Sequence, residues 1–260
     1  MVRVLLTIAF MAFAGCGNAD EPQDSPPATA GKSEPIASPR AAILSSISTN
    51  SDKRCVGISL VAEALLDGLP VEGDSCDEAD DVAARIYDSL TSKRQLRYLQ
   101  RVSIEGTCVP LISTEAIDKI STLVAEKYKQ DFSRLMTTED GRRKLLAAQD
   151  SFVATASQLD RILDADSDKL DAFFGSGVRR FPDGTVEDTY HAFLIGKGQN
   201  GALVVYDAND PGLPIECKLL GGESGVAIEW TCRYRDTGQT TTQHYLIVPK
   251  DRFFHVMLGE

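Results

Sequence analysis

Three stretches of this chain carry residue types that could do chemistry together. Cys55 opens "CVGISLVAEALL", where an apolar helix begins; His191 opens "HAFLIG"; Asp207 and Asn209 fall in "YDANDPG". A thiol attacks only as its thiolate, and its pKa falls at a helix N-terminus or beside a histidine. Cys55 meets the first condition if its helix starts near Asp52. The second needs one of three histidines, His191, His244 or His255. Antiparallel neighbouring strands would set Asp207 or Asn209 beside the His191 imidazole. Such a partner fixes the tautomer that turns one ring nitrogen to the sulfur. His244 in "TTTQHYLIV" is the second candidate base. Strand alternation puts it on the face of Thr242 and Leu246, and no turn carboxylate follows closely. His255 is expected to be structural. Each residue alone has a plainer reading: buried cysteine is common, and Asp, Asn, Pro and Gly each favour turns. The ordered set is what points to a catalytic site.

The elements that must position these groups change character along the chain. Val56 to Leu66 has Ile58, Val61, Ala62 and Leu65 on one helical face, stopped by "GLP". "DEADDVAARIYDSL" is acidic at its start, as a helix N-terminus prefers. Its run "DSCDEADD" reads as a solvated helix start and lacks the spacing of a calcium-binding EF-hand. Lys93 to Ile104 continues in helical style. Ser113 is an N-cap before a run with Ile117, Ile120, Leu123, Val124 and Tyr128 on one face. Further helices are predicted over Thr138 to Leu163 and Ser167 to Phe174. After "FFGSG" come five strand-like runs: "TYHAFLIG", "GALVVYDA", "PIECKLL", "GVAIEWTCRY" and "TTTQHYLIVP". Helices first and antiparallel strands later predict an α+β domain.

The chain has six cysteines. Cys217 and Cys232 lie on two strand-like runs flanking "GGESG", so a cross-strand bridge is expected, with Trp230 packed against it. Cys76 and Cys108 are placed to clip two helix ends together, which leaves Cys55 alone. Pairing of Cys55 with Cys76 or Cys108 is the rival arrangement, because spacing does not determine connectivity. No Cys/His cluster has metal-ligand spacing, so neither metal nor cofactor is expected.

Cys55-Val-Gly57-Ile-Ser59-Leu60, then His191 on a strand, then Tyr206-Asp207-Ala-Asn209-Asp-Pro-Gly212, resembles the papain-like cysteine peptidases, and within them the bacterial YopT-type proteins. The resemblance rests on three short patches and does not extend over Cys76 to Gly175. It implies an N-terminal helical lobe packed on a C-terminal antiparallel β lobe. It implies Cys55 as nucleophile, His191 as general base and then acid, and Asp207 as orienting residue, with Asn209 as the alternative. Such enzymes usually carry an amide side chain upstream of the cysteine as an oxyanion donor. Here Thr49 stands six residues before Cys55, and Asn50, five before, is the available amide. Cys-x-Gly with a strand histidine also resembles NlpC-type peptidoglycan hydrolases, whose third residue is usually another polar group on the following strand. The third expectation is of another class: a surface lipoprotein that keeps the fold without catalysis and acts as a binding module.

At the other end of the chain, Arg3 precedes an apolar run from Val4 to Ala14, too short for the roughly 20 residues of a membrane-spanning helix and suited to a secretory signal. It ends in "FAGC", which resembles a bacterial lipobox and implies lipidation of Cys16. Residues 1–15 are therefore expected to be a signal peptide. Residues 16–50 hold five of the eleven prolines and are expected to be a disordered tether. Residues 51–260 are expected to be the papain-like domain, helical over 51–175 and β over 176–260. A net charge of −11 repels phosphate backbones, so nucleic acid is not an expected partner. The expected partners are a peptide, protein or peptidoglycan substrate and, through the lipid, a membrane of the bacterial cell envelope.

Overall fold

The computed structural model of the chain describes residues 43–44, 54–67, 75–92, 101–149, 152–165, 169–208, 214–222, 225–233 and 238–258. The signal segment, Cys16, Thr49, Asn50 and Asn209 lie outside them.

The helix that begins at the cysteine, α1 (Cys55–Leu66), buries Gly57, Ile58, Ser59, Leu60, Val61, Ala62, Glu63 and Leu65. That is more than the single face its periodicity predicts. A helix apolar nearly all round must be enclosed on several sides. One side is covered by α3 (Thr114–Met136), whose first turn is capped by Ser113 accepting from the Ala116 N–H. Gly57 is required at this crossing. A Cβ on it would lie 1.9 Å from the Ser121 carbonyl oxygen and 3.0 Å from the Ala125 Cβ, so any side chain would force the helices apart. Arg54 fastens the same end, with Nη1 donating to Asp118 at 2.6 Å and Thr122 at 2.8 Å.

The other side of α1 packs on a seven-stranded sheet. Its strands are β4 (Leu170–Arg180), β5 (Val186–Lys197), β6 (Leu203–Tyr206), β7 (Ile215–Glu216), β8 (Lys218–Gly222), β9 (Gly225–Arg233) and β10 (Thr240–Pro249). Their spatial order is β7-β6-β5-β4-β10-β9-β8, and every pair is antiparallel. Strand alternation divides the buried residues between two cores. Ala172, Phe174, Ala192 and Leu194 join α1, α2 (Ala79–Ser92), α3 and α6 (Lys250–Leu258) on one face. Phe173, Phe193, Ile195, Ile228, Trp230 and Tyr245 form the other core with Leu159 and Ile162 of α5 (Phe152–Asp164). Helices with a mostly antiparallel sheet make this an α+β protein.

Several expectations need correction. The segment expected as a short helix, Ser167 to Phe174, enters β4 at Leu170 instead, so strand structure begins before position 176. Glycines at 175 and 177 mask the strand, and they are there because β10 passes so close: a Cβ at Gly177 would lie 1.9 Å from the His244 carbonyl oxygen. The helical style of Lys93 to Ile104 fails over its described part. Arg101–Ile104 is β2, hairpinned to β3 (Thr107–Pro110) and parallel to β1 (Cys76–Glu78) in a separate three-stranded sheet. The single helix over Thr138 to Leu163 is instead α4 (Glu139–Gln149) and α5. The chain closes on a helix, α6, within the part expected to be β. Ile43, inside the expected tether, is 2 % exposed in the helical core, so packed structure reaches back past position 51.

Candidate active site

Cys55 is the first residue of α1, and among the described residues no side chain caps that helix N-terminus. The first-turn N–H groups therefore remain available to an anion. The sulfur of Cys55 hydrogen-bonds the His191 side chain and accepts from the backbone N–H of Ala192. His191 lies on β5, and Asp207 comes immediately after β6. Leu194 pairs with Tyr206, so Asp207, one residue on, falls opposite Phe193. That is the sheet face His191 shares, one pair removed, a diagonal that a histidine side chain can span. His191 Nε2 and Asp207 Oδ1 are 2.6 Å apart. Because Nε2 is held by the carboxylate, Nδ1 is the nitrogen turned to the sulfur. Tyr245 and Phe193, with ring centroids 6.0 and 5.8 Å from the imidazole, give it an apolar surround.

The electrostatics separate this cysteine from Cys217. Burial pushes the Cys55 thiol up, but the His191 imidazolium, its hydrogen bond and the Ala192 N–H together hold it below the ordinary thiol value. Burial likewise opposes a charged His191, yet Asp207 and the Cys55 thiolate raise it to about 10. Both directions describe a thiolate–imidazolium pair, which titrates as a unit. Cys217, by contrast, is pushed up to about 11 by burial.

Cys76 and Cys108 form a disulfide, with Cα atoms 5.8 Å apart. It joins β1 to β3 rather than two helix ends, and it removes both rival partners of Cys55. The bridge expected between Cys217 and Cys232 is not formed, and both are thiols. The β8–β9 register sets Lys218 against Glu229, so Cys217 falls opposite Trp230, two residues short of Cys232. Cys232 meets Thr241 Oγ1 and Gln243 Nε2 instead, each at 3.3 Å. Trp230 packs on Phe193 and Tyr245, with centroids 4.9 and 5.1 Å away. His244 is part-exposed, with Nδ1 3.8 Å from Glu229 Oε2, and His255 is exposed. Neither is brought to the cysteine.

Two supports carry no motif. Ala192 contributes a backbone group, which no side-chain pattern reports. Glu63 is a lone carboxylate in an apolar helix, and such a residue signals a buried partner. Its Oε1 accepts from the Ala172 N–H at 2.9 Å, and its Oε2 lies 2.6 Å from Lys250 Nζ. Glu63 thus ties α1 to β4 and α6.

Compared with known proteins, the chain matches no family model, no curated protein and no solved structure. No helix among the described residues is long and apolar enough to cross a membrane.

Proposed function

We propose that this chain is a papain-like thiol hydrolase cleaving a peptide or amide bond, exported and anchored to the bacterial cell envelope through lipid on Cys16. The observation that carries the reading is the relay from partly buried Cys55 through buried His191 to Asp207. In the reaction the Cys55 thiolate adds to the substrate carbonyl carbon. The carbonyl electron pair moves onto oxygen, against the open N–H groups of α1. Collapse re-forms the carbonyl and expels the leaving amine, which takes its proton from His191 Nδ1. Water then attacks the thioester, His191 receives its proton, and the acid product leaves with the thiolate restored. The carboxylate at the third position favours this reading over the peptidoglycan-hydrolase one, which hydrolysis of purified cell wall by the protein would support instead.

Labelling of the native protein with iodoacetamide, mapped by mass spectrometry, tests the proposal. At about pH 6, where an ordinary thiol is almost wholly protonated, Cys55 is expected to be the cysteine modified. His191→Ala is expected to abolish that preference. Uniform labelling of the thiols, or labelling indifferent to His191, would count against a catalytic site.

A further inference from the structure

Two glycines in the interior of β4, Gly175 and Gly177, weaken a strand that crosses the middle of the sheet, and such glycines mark a close approach. Gly175 is the register partner of His191, and Gly177 that of Tyr245 on β10. Strand β4 therefore lies between these two side chains, which share one face of the sheet. Neither glycine puts a side chain between them. A Cβ at Gly175 would lie 2.9 Å from both Cβ and Cδ1 of Tyr245. Across this gap the Tyr245 ring reaches the imidazole, with centroids 6.0 Å apart and planes inclined at 36°. The ring is itself held fast. Tyr245 is fully buried and stacks on Trp230 at 5.1 Å. Its hydroxyl donates to Gln243 Oε1 at 2.9 Å, and Gln243 Nε2 donates to Thr241 Oγ1 at 2.9 Å. Gln243 and Thr241 are as buried as the tyrosine, and their burial is tolerable because these polar groups satisfy one another.

We infer that Tyr245 is a positioning residue for the proposed catalysis: its ring, laid across the glycine gap of β4, is the wall that sets the tilt of the His191 imidazole toward the Cys55 sulfur. The inference rests on the thiol-hydrolase reading and extends it. The imidazole is tethered at Cγ by its own side chain and at Nε2 by Asp207. Between two tethers a ring can still rock, and rocking swings Nδ1 off the line to the sulfur. Hydrogen bonds weaken steeply with misalignment. Phe193, two residues on along the same strand, meets the imidazole at 5.8 Å. Tyr245 comes from two strands away and bounds the swing from across the sheet. Its influence is one of geometry, while Asp207 and Cys55 supply the charges that act on the imidazole.

The test compares the full protein with two variants. Tyr245→Leu keeps an apolar side chain and loses the flat wall, whereas Tyr245→Phe keeps the ring. The pH midpoint of Cys55 alkylation by iodoacetamide and the rate of acylation by p-nitrophenyl acetate are read beside the melting temperature. Tyr245→Leu is expected to acylate about 10–10²-fold more slowly, the cost of misplacing a reacting group by roughly 1 Å. Its alkylation midpoint should rise from the parent value toward the ordinary thiol value of about 8.5. Tyr245→Phe should recover the parent midpoint and most of the rate. If Tyr245→Leu does not fold, Gly175→Ala takes its place, since the added methyl must push the Tyr245 ring aside, and the same two shifts are expected. A lower melting temperature with parent rate and midpoint would overturn the inference, marking Tyr245 as a packing residue and leaving the thiol hydrolase standing. Losses as large in Tyr245→Phe as in Tyr245→Leu would also overturn it, because the ring would not be the agent. A parent protein that neither reagent modifies at Cys55 would remove the underlying reading and this inference with it.

Discussion

Replacing Asp207 with asparagine is expected to slow acylation of Cys55 by p-nitrophenyl acetate about 10²–10⁴-fold, the range set by loss of the acid that orients a catalytic histidine. Asp207 Oδ1 accepts from His191 Nε2 at 2.6 Å in a site where both side chains are almost wholly buried. An asparagine can present its NH₂ to that nitrogen. Nε2 then becomes an acceptor, the ring proton moves to Nδ1, and a neutral ring can no longer take the thiol proton there. The second consequence is electrostatic. Asp207 is the chief influence holding the imidazolium charged against burial, and the imidazolium is the chief influence lowering Cys55 against its own burial. The variant should therefore need a higher pH to acylate. In the parent, acylation should rise as pH climbs through the depressed Cys55 pKa, and steps needing the imidazolium should fade as it passes the His191 value of about 10. Stopped-flow acylation profiles of parent and variant check both points. An Asp207→Asn protein with an unchanged rate and unchanged profile would show that the carboxylate orients nothing.

The Lys250→Met variant should lose about 3–5 kcal/mol of stability above neutral pH, the cost of leaving a buried charge without its partner. Lys250 Nζ lies 2.6 Å from Glu63 Oε2, with Glu63 buried and Lys250 partly buried beside it. Burial raises Glu63 to about 7 even with Lys250 pulling it down. Without the lysine it should rise further. A carboxyl whose folded pKa exceeds its unfolded value favours folding fully below the unfolded pKa, and that contribution is lost as pH climbs through the folded one. The defect should therefore be small at about pH 4, where Glu63 is protonated even in the unfolded chain, and large at about pH 8. Thermal unfolding at the two pH values reads it. Adding Glu63→Gln to Lys250→Met should restore most of the loss, since a glutamine oxygen can still accept from the Ala172 N–H. A defect of equal size at both pH values, unrelieved by the second change, would mean that Lys250 acts by packing alone.

What the sequence makes legible follows from how locally each feature is encoded. The five strand runs from "TYHAFLIG" to "TTTQHYLIVP" all fall in the seven-stranded sheet. Each is apolar, β-branched or aromatic, and bounded by turn residues. Strand β4 defeats local reading because Gly175 and Gly177 are placed for Tyr245 and the His244 backbone, tertiary neighbours seventy residues or so downstream. The β2–β3 hairpin hides for a similar reason. Its strands are four residues each, and a disulfide ties β3 to β1. At the site, Cys55, His191 and Asp207 announce themselves by type and order, and the β5–β6 register is what converts a separation of sixteen residues into a 2.6 Å contact. Ala192 and the Glu63–Lys250 pair could not be assigned in the same way. A backbone donor has no residue signature, and a lone carboxylate names no partner.

Catalysis of the proposed kind depends most on the charge state of one sulfur. Titration of the Cys55 thiol in the native protein, followed by thiolate ultraviolet absorbance with Cys217 and Cys232 replaced by alanine, measures it directly. The structure predicts a midpoint below the ordinary thiol value of about 8.5, rising above it in His191→Ala, where burial acts with only the Ala192 N–H against it. A native midpoint at or above the ordinary value, indifferent to the loss of His191, would contradict the thiolate–imidazolium pair.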